Sequence, residues 1–206
     1  MTERNILASV SSHPFLVGLQ YAFQTREHLF LVTQLCSGGD LYTHLQRRGP
    51  AALPRAVLYA AELVLALEHL HAKGVVYRDL KPENVLLSEE GHVRLTDFGL
   101  SRLDDPLPAA AVSATTLAAG GGGGGGGDGG GGDGTRQPRA VSFCGTESFM
   151  SPEALLQTGA GAASDWWSLG ILLCEVMLGE HPFRGPTHID TLRNIARPST
   201  LPAGLE

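Results

Sequence analysis

Four polar residues in the middle of the chain have side chains that could hold a metal ion and position a charged substrate. Asp79, Lys81 and Asn84 lie within one short stretch, and Asp97 follows a short apolar segment. Carboxylate and amide oxygens are the ligands that hard cations such as Mg²⁺ prefer. A single Asp or Asn in a loop is usually a turn former, so none of these residues carries a prediction alone. Their order and separation, taken as a set, predict one shared site.

These residues belong to a series of short motifs. The series runs Tyr77-Arg78-Asp79-Leu80-Lys81-Pro82-Glu83-Asn84, then Asp97-Phe98-Gly99, then Ser151-Pro152-Glu153, then Asp165-Trp166-Trp167-Ser168-Leu169-Gly170. It resembles the ordered signature of protein kinases, with the HRDxxxxN catalytic loop, the DFG motif and the APE motif. Tyr77 and the DWWSLG segment are similar to the AGC group, especially its ribosomal-protein kinases and cyclic-AMP-dependent kinase. The resemblance covers nearly the whole chain and implies an ATP-dependent protein serine/threonine kinase.

The resemblance implies a role for each polar residue of the set. Asp79 would orient the substrate hydroxyl and accept its proton, and Lys81 would contact the γ-phosphate of ATP. Asn84 and Asp97 would hold Mg²⁺ through their oxygens. Thr146 would hydrogen-bond both Asp79 and Lys81. ATP and Mg²⁺ are therefore the expected cofactors.

The segment over residues 28–36 resembles the strand and linker that hold adenine in this family. Thr33 would be the gatekeeper residue. The backbone at Gln34 and Cys36 would face the purine edge, and Leu86 would pack under the ring. For any one of these residues, an ordinary core strand followed by a glycine turn is an equally good interpretation.

Three carboxylates would form a pocket for a basic substrate. By the same resemblance, Asp40 lies near the ribose, Glu83 in the catalytic loop and Glu175 on the DWW helix. An arginine upstream of the target residue pairs well with a carboxylate. The alternative is two solvated acids and one acid buried in a helix, although a buried carboxylate usually has a partner. We predict a preference for Arg or Lys upstream of the target Ser or Thr.

Residues 141–146 resemble the AGC activation-loop sequence, which places a phosphorylated residue at Ser142. A phosphate there adds close to two negative charges, which could pair with Arg78 and Arg102 and order the loop. The family's upstream phosphoinositide-dependent kinase is the expected modifying enzyme.

The elements that must position these residues are predicted from apolar periodicity and turn residues. Two antiparallel strands are predicted over residues 15–23 and 28–33, and short strands over 85–87 and 92–96. Helices are predicted over 40–47, 55–72, 165–178 and 189–195. In the helix over 55–72, we expect burial on most sides, since apolar residues recur at Val57, Leu58, Ala61, Leu63, Val64, Leu65, Leu67 and Leu70.

The resemblance implies an α+β, bilobal kinase-like fold over residues 1–206, with a partial N-lobe and a mainly helical C-lobe. Residues 1–33 would supply two strands and a remnant of the αC helix, 34–39 the hinge, and 40–206 the C-lobe. Residues 104–139 are rich in Ala, Pro and then Gly, and such a composition cannot offset its own ordering entropy. We expect a disordered insertion in the activation loop, which the fold tolerates because closure entropy grows slowly with loop length.

Composition excludes several classes of protein. The formal net charge of −6 gives no electrostatic footprint for nucleic acid. The start of the chain has no apolar signal segment, and the most apolar stretch, over 166–178, is too short to span a membrane. Cys36, Cys144 and Cys174 form no CxxC pair, which favours reduced thiols in the cytoplasm or nucleus.

The sequence departs from the full family pattern at both ends. Glu3 aligns with the αC glutamate that pairs with the ATP-anchoring lysine, yet the sequence has no glycine-rich GxGxxG loop and no VAIK lysine. The last helices, one of which supplies a partner for Glu153, would follow Glu206. We therefore interpret the chain as a kinase domain truncated at both ends. A truncated, catalytically inactive interaction protein is the competing hypothesis, whereas a generic nucleotide-binding protein would need a Walker or Rossmann fingerprint.

Overall fold

The computed structural model describes residues 3–10, 12–103 and 147–197. Its helices are α1 (Glu3–Val10), α2 (Leu41–Arg48), α3 (Leu53–Ala72), α4 (Pro152–Leu155), α5 (Ala162–Leu178) and α6 (His188–Ala196). Its strands are β1 (Leu19–Gln24), β2 (Leu29–Thr33), β3 (Val75–Val76), β4 (Val85–Leu87), β5 (Val93–Leu95) and β6 (Arg102–Leu103). Short 3₁₀ helices lie at Pro82–Asn84 and Glu147–Phe149. The predicted phosphosite Ser142, Thr146 and the glycine-rich insertion lie outside the described residues.

The strands form antiparallel pairs, β1 with β2, β3 with β6, and β4 with β5. The predicted antiparallel hairpin is confirmed, but its first strand begins at Leu19 rather than at residue 15. The preceding residues bond to β5 instead: the Val17 N–H donates to the Leu95 carbonyl at 2.8 Å, and the Leu95 N–H to the Phe15 carbonyl at 2.9 Å. This short connection ties the β1–β2 hairpin to the β4–β5 pair.

Helix α3 lies at the centre of the core, against α5, β3 and β5. Pro54 suits its first turn, and the chain turns away at Gly74, whose φ of 71° is left-handed. The expected burial on most sides is wrong, because Val57, Ala61 and Leu65 are exposed. The buried residues are Ala56, Tyr59, Glu62, Leu63, Ala66, Leu67, Leu70 and His71. Apolar periodicity misses this face because Glu62 and His71, although polar, are buried against hydrogen-bonding partners.

Helix α5 is the second core helix and begins three residues earlier than predicted, at Ala162. Asp165 therefore lies in its first turn, where the helix dipole favours a carboxylate. The helix ends at Gly179, which takes the left-handed conformation with φ 79°.

The described residues combine helices and strands as the predicted α+β class requires. One hydrophobic core joins α1, α3, α5, β3 and the β4–β5 pair, and it includes the buried rings of Tyr77 and Phe98. Among these residues, none of the helices combines the length and apolarity that crossing a membrane would require.

Candidate active site

The catalytic-loop residues Asp79, Lys81 and Asn84 converge at one buried carboxylate. Asp79 is only 5% exposed, and the Lys81 Nζ lies 3.0 and 2.9 Å from its two oxygens. The Asn84 amide donates to Asp79 Oδ2 at 2.8 Å and to the Asp79 backbone carbonyl at 2.9 Å. The structure thus holds the Asp79 carboxylate in a fixed orientation with a positive charge beside it.

Local backbone structure positions these three side chains. Pro82 opens the 3₁₀ helix that ends at Asn84, and β4 follows directly. The Thr96 N–H donates to the Asn84 carbonyl at 3.1 Å, which brings the residue before Asp97 next to the catalytic loop. Asn84 and Asp97 are therefore neighbours, although they are well separated in sequence.

The buried carboxylate of Asp165 anchors the catalytic loop. Its Oδ2 accepts from His71 Nε2 at 2.7 Å and from the Tyr77 N–H at 2.8 Å, and its Oδ1 accepts from the Arg78 N–H at 2.7 Å. Arg78 itself has a φ of 72°, a left-handed conformation that costs a non-glycine residue about 1–3 kcal/mol. The hydrogen bonds to Asp165 hold the backbone in that strained turn.

The DFG segment packs against the same loop. The Phe98 ring is buried and meets the Tyr77 ring edge-on, with ring centroids 5.5 Å apart. The Tyr77 hydroxyl donates to the Thr96 carbonyl. Burial, together with the negative charges of Asp79 and Asp97, holds the pKa of Tyr77 well above its ordinary value. Tyr77 is therefore a neutral hydrogen-bond donor that locks the segment before Asp97.

Asp97 itself is exposed and takes a left-handed conformation with φ 56°. Its Oδ1 accepts from the Gly99 N–H at 3.1 Å. Glu3 lies in the first turn of α1. Partial burial, followed by the negative charge of the nearby Asp97, raises the pKa of Glu3 above its ordinary value. In the described part of the chain, neither of these two carboxylates forms an ion pair, so a cation would be stabilised near them.

The fit of Mg²⁺ to this region can be judged from the donor atoms. Within the described ranges, no three or more His, Cys, Asp or Glu side chains converge to enclose a metal ion. Mg²⁺ does not need such a cage, because it keeps several waters and binds one or two carboxylates together with substrate phosphates. The oxygens of Asn84 and Asp97 fit an ion that arrives with a nucleotide.

The predicted adenine-binding residues follow one path between β2 and α2. The Gln34 N–H is already bonded to the Gly18 carbonyl at 2.9 Å, so at this residue the carbonyl is the group left for a purine. Cys36 is half-buried, and this burial raises the pKa of its thiol. Leu86, also half-buried, forms a β-bridge with Asp40 across this path.

Asp40 has a structural role that the sequence analysis did not identify. It is the N-cap of α2, and its two carboxylate oxygens accept from the Thr43 N–H at 2.7 Å and the Thr43 hydroxyl at 2.9 Å. Although partial burial opposes the effect, these hydrogen bonds hold the pKa of Asp40 below its ordinary value. Asp40 is therefore a fixed, charged carboxylate at the start of α2.

Two of the three predicted substrate-binding acids lie close together. Burial, followed by the negative charge of the nearby Glu83, raises the pKa of Glu175 to about 7. Glu83 is exposed and Glu175 is half-buried, so the pair has one side open to solvent. In the described part of the chain, Asp40 takes no part in this pair.

The two arginines predicted to bind a phosphorylated Ser142 lie near the β3–β6 pair. Arg102 is in β6 and pairs with Val76, two residues before Arg78. The Arg78 Nη2 donates to the Ala160 carbonyl at 3.3 Å, whereas its buried Nε has no partner among the described residues.

Sequence reasoning missed His71, whose only signal was its place near the end of α3.

Comparison with known proteins bears directly on this site. The protein kinase domain model matches residues 1–118 and 128–202. The chain is 45% identical over 182 residues to "Protein kinase 2" of Dictyostelium discoideum, covering 88% of this chain and 32% of that protein. It is 41% identical over 195 residues to human "Ribosomal protein S6 kinase alpha-2", covering 95% of this chain and 22% of that protein.

A similar match, 42% identical over 195 residues, is found with "Putative ribosomal protein S6 kinase alpha-1" of Caenorhabditis elegans, of which the chain covers 21%. The chain thus spans between a fifth and a third of the length of these relatives. The domain match, these identities and the convergence of Asp79, Lys81 and Asn84 agree. The chain belongs to the protein kinase family and, within it, to the AGC type.

Proposed function

We propose that this chain provides the catalytic loop for transfer of the γ-phosphate of ATP to Ser or Thr of protein substrates. The observation that carries the proposal is the buried Asp79 carboxylate, held by Lys81 Nζ and by the Asn84 amide. When bound, Mg-ATP supplies the phosphoryl group and neutralises charge on it. Asp79 would accept the hydroxyl proton of the substrate, and Lys81 would place a positive charge beside the transferred group.

The nucleotide would be held on the side of the site that faces β2 and the start of α2. We propose that the Gln34 carbonyl and the Cys36 backbone contact the purine, with Leu86 beneath it and Asp40 near the ribose. Asn84 and Asp97 would bind the metal ion, and Glu3 would orient a cation beside Asp97. Partial burial and then the charge of Asp97 raise the pKa of Glu3, and the second of these causes supports the proximity of the two carboxylates.

For the substrate, we propose a preference for Arg or Lys upstream of the target residue. The proximity of Glu83 to Glu175 supports this, since an arginine between them would relieve the repulsion that, after burial, raises the pKa of Glu175. Asp40, at the other end of the site, is the third proposed contact.

For regulation, we propose that an upstream kinase phosphorylates Ser142. The buried Nε of Arg78, which has no partner among the described residues, supports this part of the proposal, because a phosphate is a strong acceptor for a guanidinium. Arg102 would provide the second contact. We also propose that the protein acts in the cytoplasm or nucleus, in keeping with its half-buried free thiols Cys36 and Cys174.

Radiolabel transfer from γ-labelled ATP to a serine peptide with arginines upstream tests the activity. Asp79→Asn should lower the rate by about 10²–10⁴-fold, because it removes the proton acceptor while keeping the shape of the side chain. Glu89→Gln is the control, since Glu89 is an exposed acid outside the site. Equal rates for wild type and Asp79→Asn, with nucleotide binding intact, would instead support the inactive interaction protein.

A further inference from the structure

Two adjoining cavities run along α2, outside the residues assigned to catalysis. The smaller has a volume of about 380 Å³ and lies between the Ser37–Gly39 turn and the last turn of α2. The larger, of about 540 Å³, continues between α2, the start of α3 and the β4–β5 turn. Both are lined by Gly38, His44 and Arg48, so they form one continuous depression, which we name the α2 groove.

The α2 groove is lined by arginines that have no partner within the described part of the chain. Arg47 and Arg48 border the smaller cavity, and Arg48 and Arg55 border the larger one. All three are exposed, and none forms an ion pair or a side-chain hydrogen bond with another described residue. The helix dipole accounts for cations at the end of α2, but it does not account for Arg55, which belongs to the first turns of α3.

Among the described residues, the acids that line the groove lie at one end of it. Glu89 and Glu90 border the larger cavity at the β4–β5 turn, whereas no described acid borders the smaller one. Arg55 extends over that turn, as shown by the distance of 3.2 Å between its Nη1 and a Cβ atom built at Gly91. Arg47 and Arg48 therefore give the smaller cavity a positive character, which the Asp40 carboxylate, bonded to the lining residue Thr43, offsets in part.

The smaller cavity also presents hydrogen-bond donors. Ser37, which carries a hydroxyl, and His44 border it, beside Gly38 and Gly39. The His44 ring is fixed in place by a 2.7 Å hydrogen bond from its Nε2 to the Gly38 carbonyl. Two guanidinium groups with a nearby hydroxyl form a donor set that suits a carboxylate or a phosphate.

We propose that the α2 groove binds an acidic segment of a partner protein, with one carboxylate or phosphate side chain in the smaller cavity. The chain as a whole carries a formal net charge of −6, so this basic groove stands in an otherwise acidic molecule. Such a surface favours a peptide with a few well-placed negative charges over an extended polyanion, which the remaining acidic surface would repel. Binding here requires neither ATP nor the Asp79 carboxylate.

Fluorescence anisotropy at low ionic strength tests the proposal with three fluorescein-labelled decapeptides. One alternates Glu with Gly, one alternates Gln with Gly, and one alternates Gln with Gly but has a single central phosphoserine. The Glu peptide, the phosphoserine peptide or both should bind the protein, and the Gln peptide should not. Arg47→Gln/Arg48→Gln should weaken this binding about tenfold or more, because both charges at the smaller cavity are removed.

The matched control is Arg26→Gln/Arg184→Gln, which removes the same number of charges from exposed residues that do not line the groove. The affinity of this control variant for the acidic peptides should stay within about twofold of the wild-type affinity. Arg55→Gln lies on α3 and tests the groove independently if the α2 variant unfolds. This variant should also weaken binding of the acidic peptides. Binding of the phosphoserine peptide alone would identify phosphate as the preferred anion.

Three results would overturn the proposal. The first is that neither acidic peptide binds to wild type. The second is an equal loss of affinity in the groove and control variants, which would show general charge attraction. The third is displacement of the peptide by a single-stranded oligonucleotide at lower concentration than by unlabelled peptide, which would assign the groove to nucleic acid.

Discussion

Asp165 shows how one buried residue determines the geometry of a loop that it does not belong to. Its carboxylate accepts hydrogen bonds from His71, Tyr77 and Arg78 and is fully excluded from solvent. Replacing it with Asn keeps the size but leaves only one acceptor oxygen, and it turns an amide N–H₂ towards N–H donors. A buried donor without a partner is costly, more so when a charge is lost with it.

We therefore expect Asp165→Asn to lower the free energy of unfolding by about 3 kcal/mol in denaturant titration. Asp190→Asn is the matched control, because this partly exposed aspartate at the start of α6 should change the free energy of unfolding far less. Equal losses for the two variants would contradict the anchoring role of Asp165.

Glu175 gives a pH prediction of definite sign. Its pKa is about 7 in the folded protein, against an ordinary value of 4.5, because of burial and the charge of Glu83. The folded state therefore holds a proton that the unfolded state releases between these pH values. The stability that Glu175 contributes is present below pH 4.5 and is lost as pH rises through 7.

Accordingly, Glu175→Gln should stabilise the protein at pH 8 by on the order of 1 kcal/mol, after allowing for solvent screening of this half-buried group. The difference from wild type should vanish near pH 4. Denaturant unfolding at a series of pH values measures it, with the exposed Glu68→Gln on α3 as control. Parallel pH profiles for wild type and Glu175→Gln would refute the prediction.

At this scale, the sequence identified most of the residues that converge but not all of their contacts. The spacing of Asp79, Lys81 and Asn84 was sufficient to predict that they share a site. The proposed roles of these residues stay predictions, as do those of Ser142 and Thr146, which lie outside the described residues. The contact of His71 could not be predicted, because it depends on which helix packs nearby. The capping contact of Asp40 is local to α2, and an Asp directly before a helix is the signal that could have revealed it.

Among the elements, the turn before α2 leaves no room for a side chain at Gly38. A Cβ there would lie 2.7 Å from the Leu87 carbonyl oxygen and 2.8 Å from the Leu87 Cβ. The Gly38 N–H also donates to that carbonyl at 3.0 Å, and the Leu87 N–H donates to the Gly39 carbonyl at 2.8 Å. This close approach of two backbones fixes where α2 begins, and with it the position of Asp40.

Gly38→Ala should therefore force the turn away from β4 and cost about 1–3 kcal/mol in unfolding free energy. Nucleotide affinity should fall as well, since the path from Gln34 to Asp40 would shift. Thermal unfolding and titration with a fluorescent ATP analogue measure the two effects. Gly161→Ala is the control, because a Cβ there meets nothing within 4 Å; the prediction fails if the two variants behave alike.

The elements themselves were predicted with uneven success, for physical reasons. Helices α2, α3, α5 and α6 and the β4–β5 hairpin were found near their predicted bounds, because apolar periodicity and turn glycines mark them. Strands β3 and β6 were missed, since two residues each are too few for any period. In α3 the predicted burial on most sides was wrong, because several of its apolar residues are exposed while polar residues with distant partners are buried.

For the whole molecule, the β1–β2 hairpin is the part of the described chain with the most exposed apolar surface. Tyr21 is 70% exposed, Phe23 53% and Phe30 42%. Phe23 and Phe30 stack across the strands, with centroids 4.9 Å apart. Large exposed apolar patches favour association between proteins, and a two-stranded pair also presents strand edges.

We expect this chain to self-associate through the hairpin as its concentration rises. Phe23→Thr/Phe30→Thr keeps residues that favour strands while removing the two rings, and it should lower the apparent mass in light scattering. Leu156→Thr, which removes an isolated exposed leucine, serves as the control and should leave that mass unchanged. Unaltered association in the double variant would place the contact elsewhere.

The anchoring of the catalytic loop by Asp165 has a consequence for synthesis on the ribosome. The Tyr77 backbone emerges 88 residues before the carboxylate that it must bind. At typical translation rates of about 5–20 residues per second, that interval lasts roughly 4–18 s. Throughout it, the nascent loop lacks its acceptor and cannot hold the left-handed turn at Arg78. The catalytic loop is thus completed only when α5 has been made, however early its own residues appear.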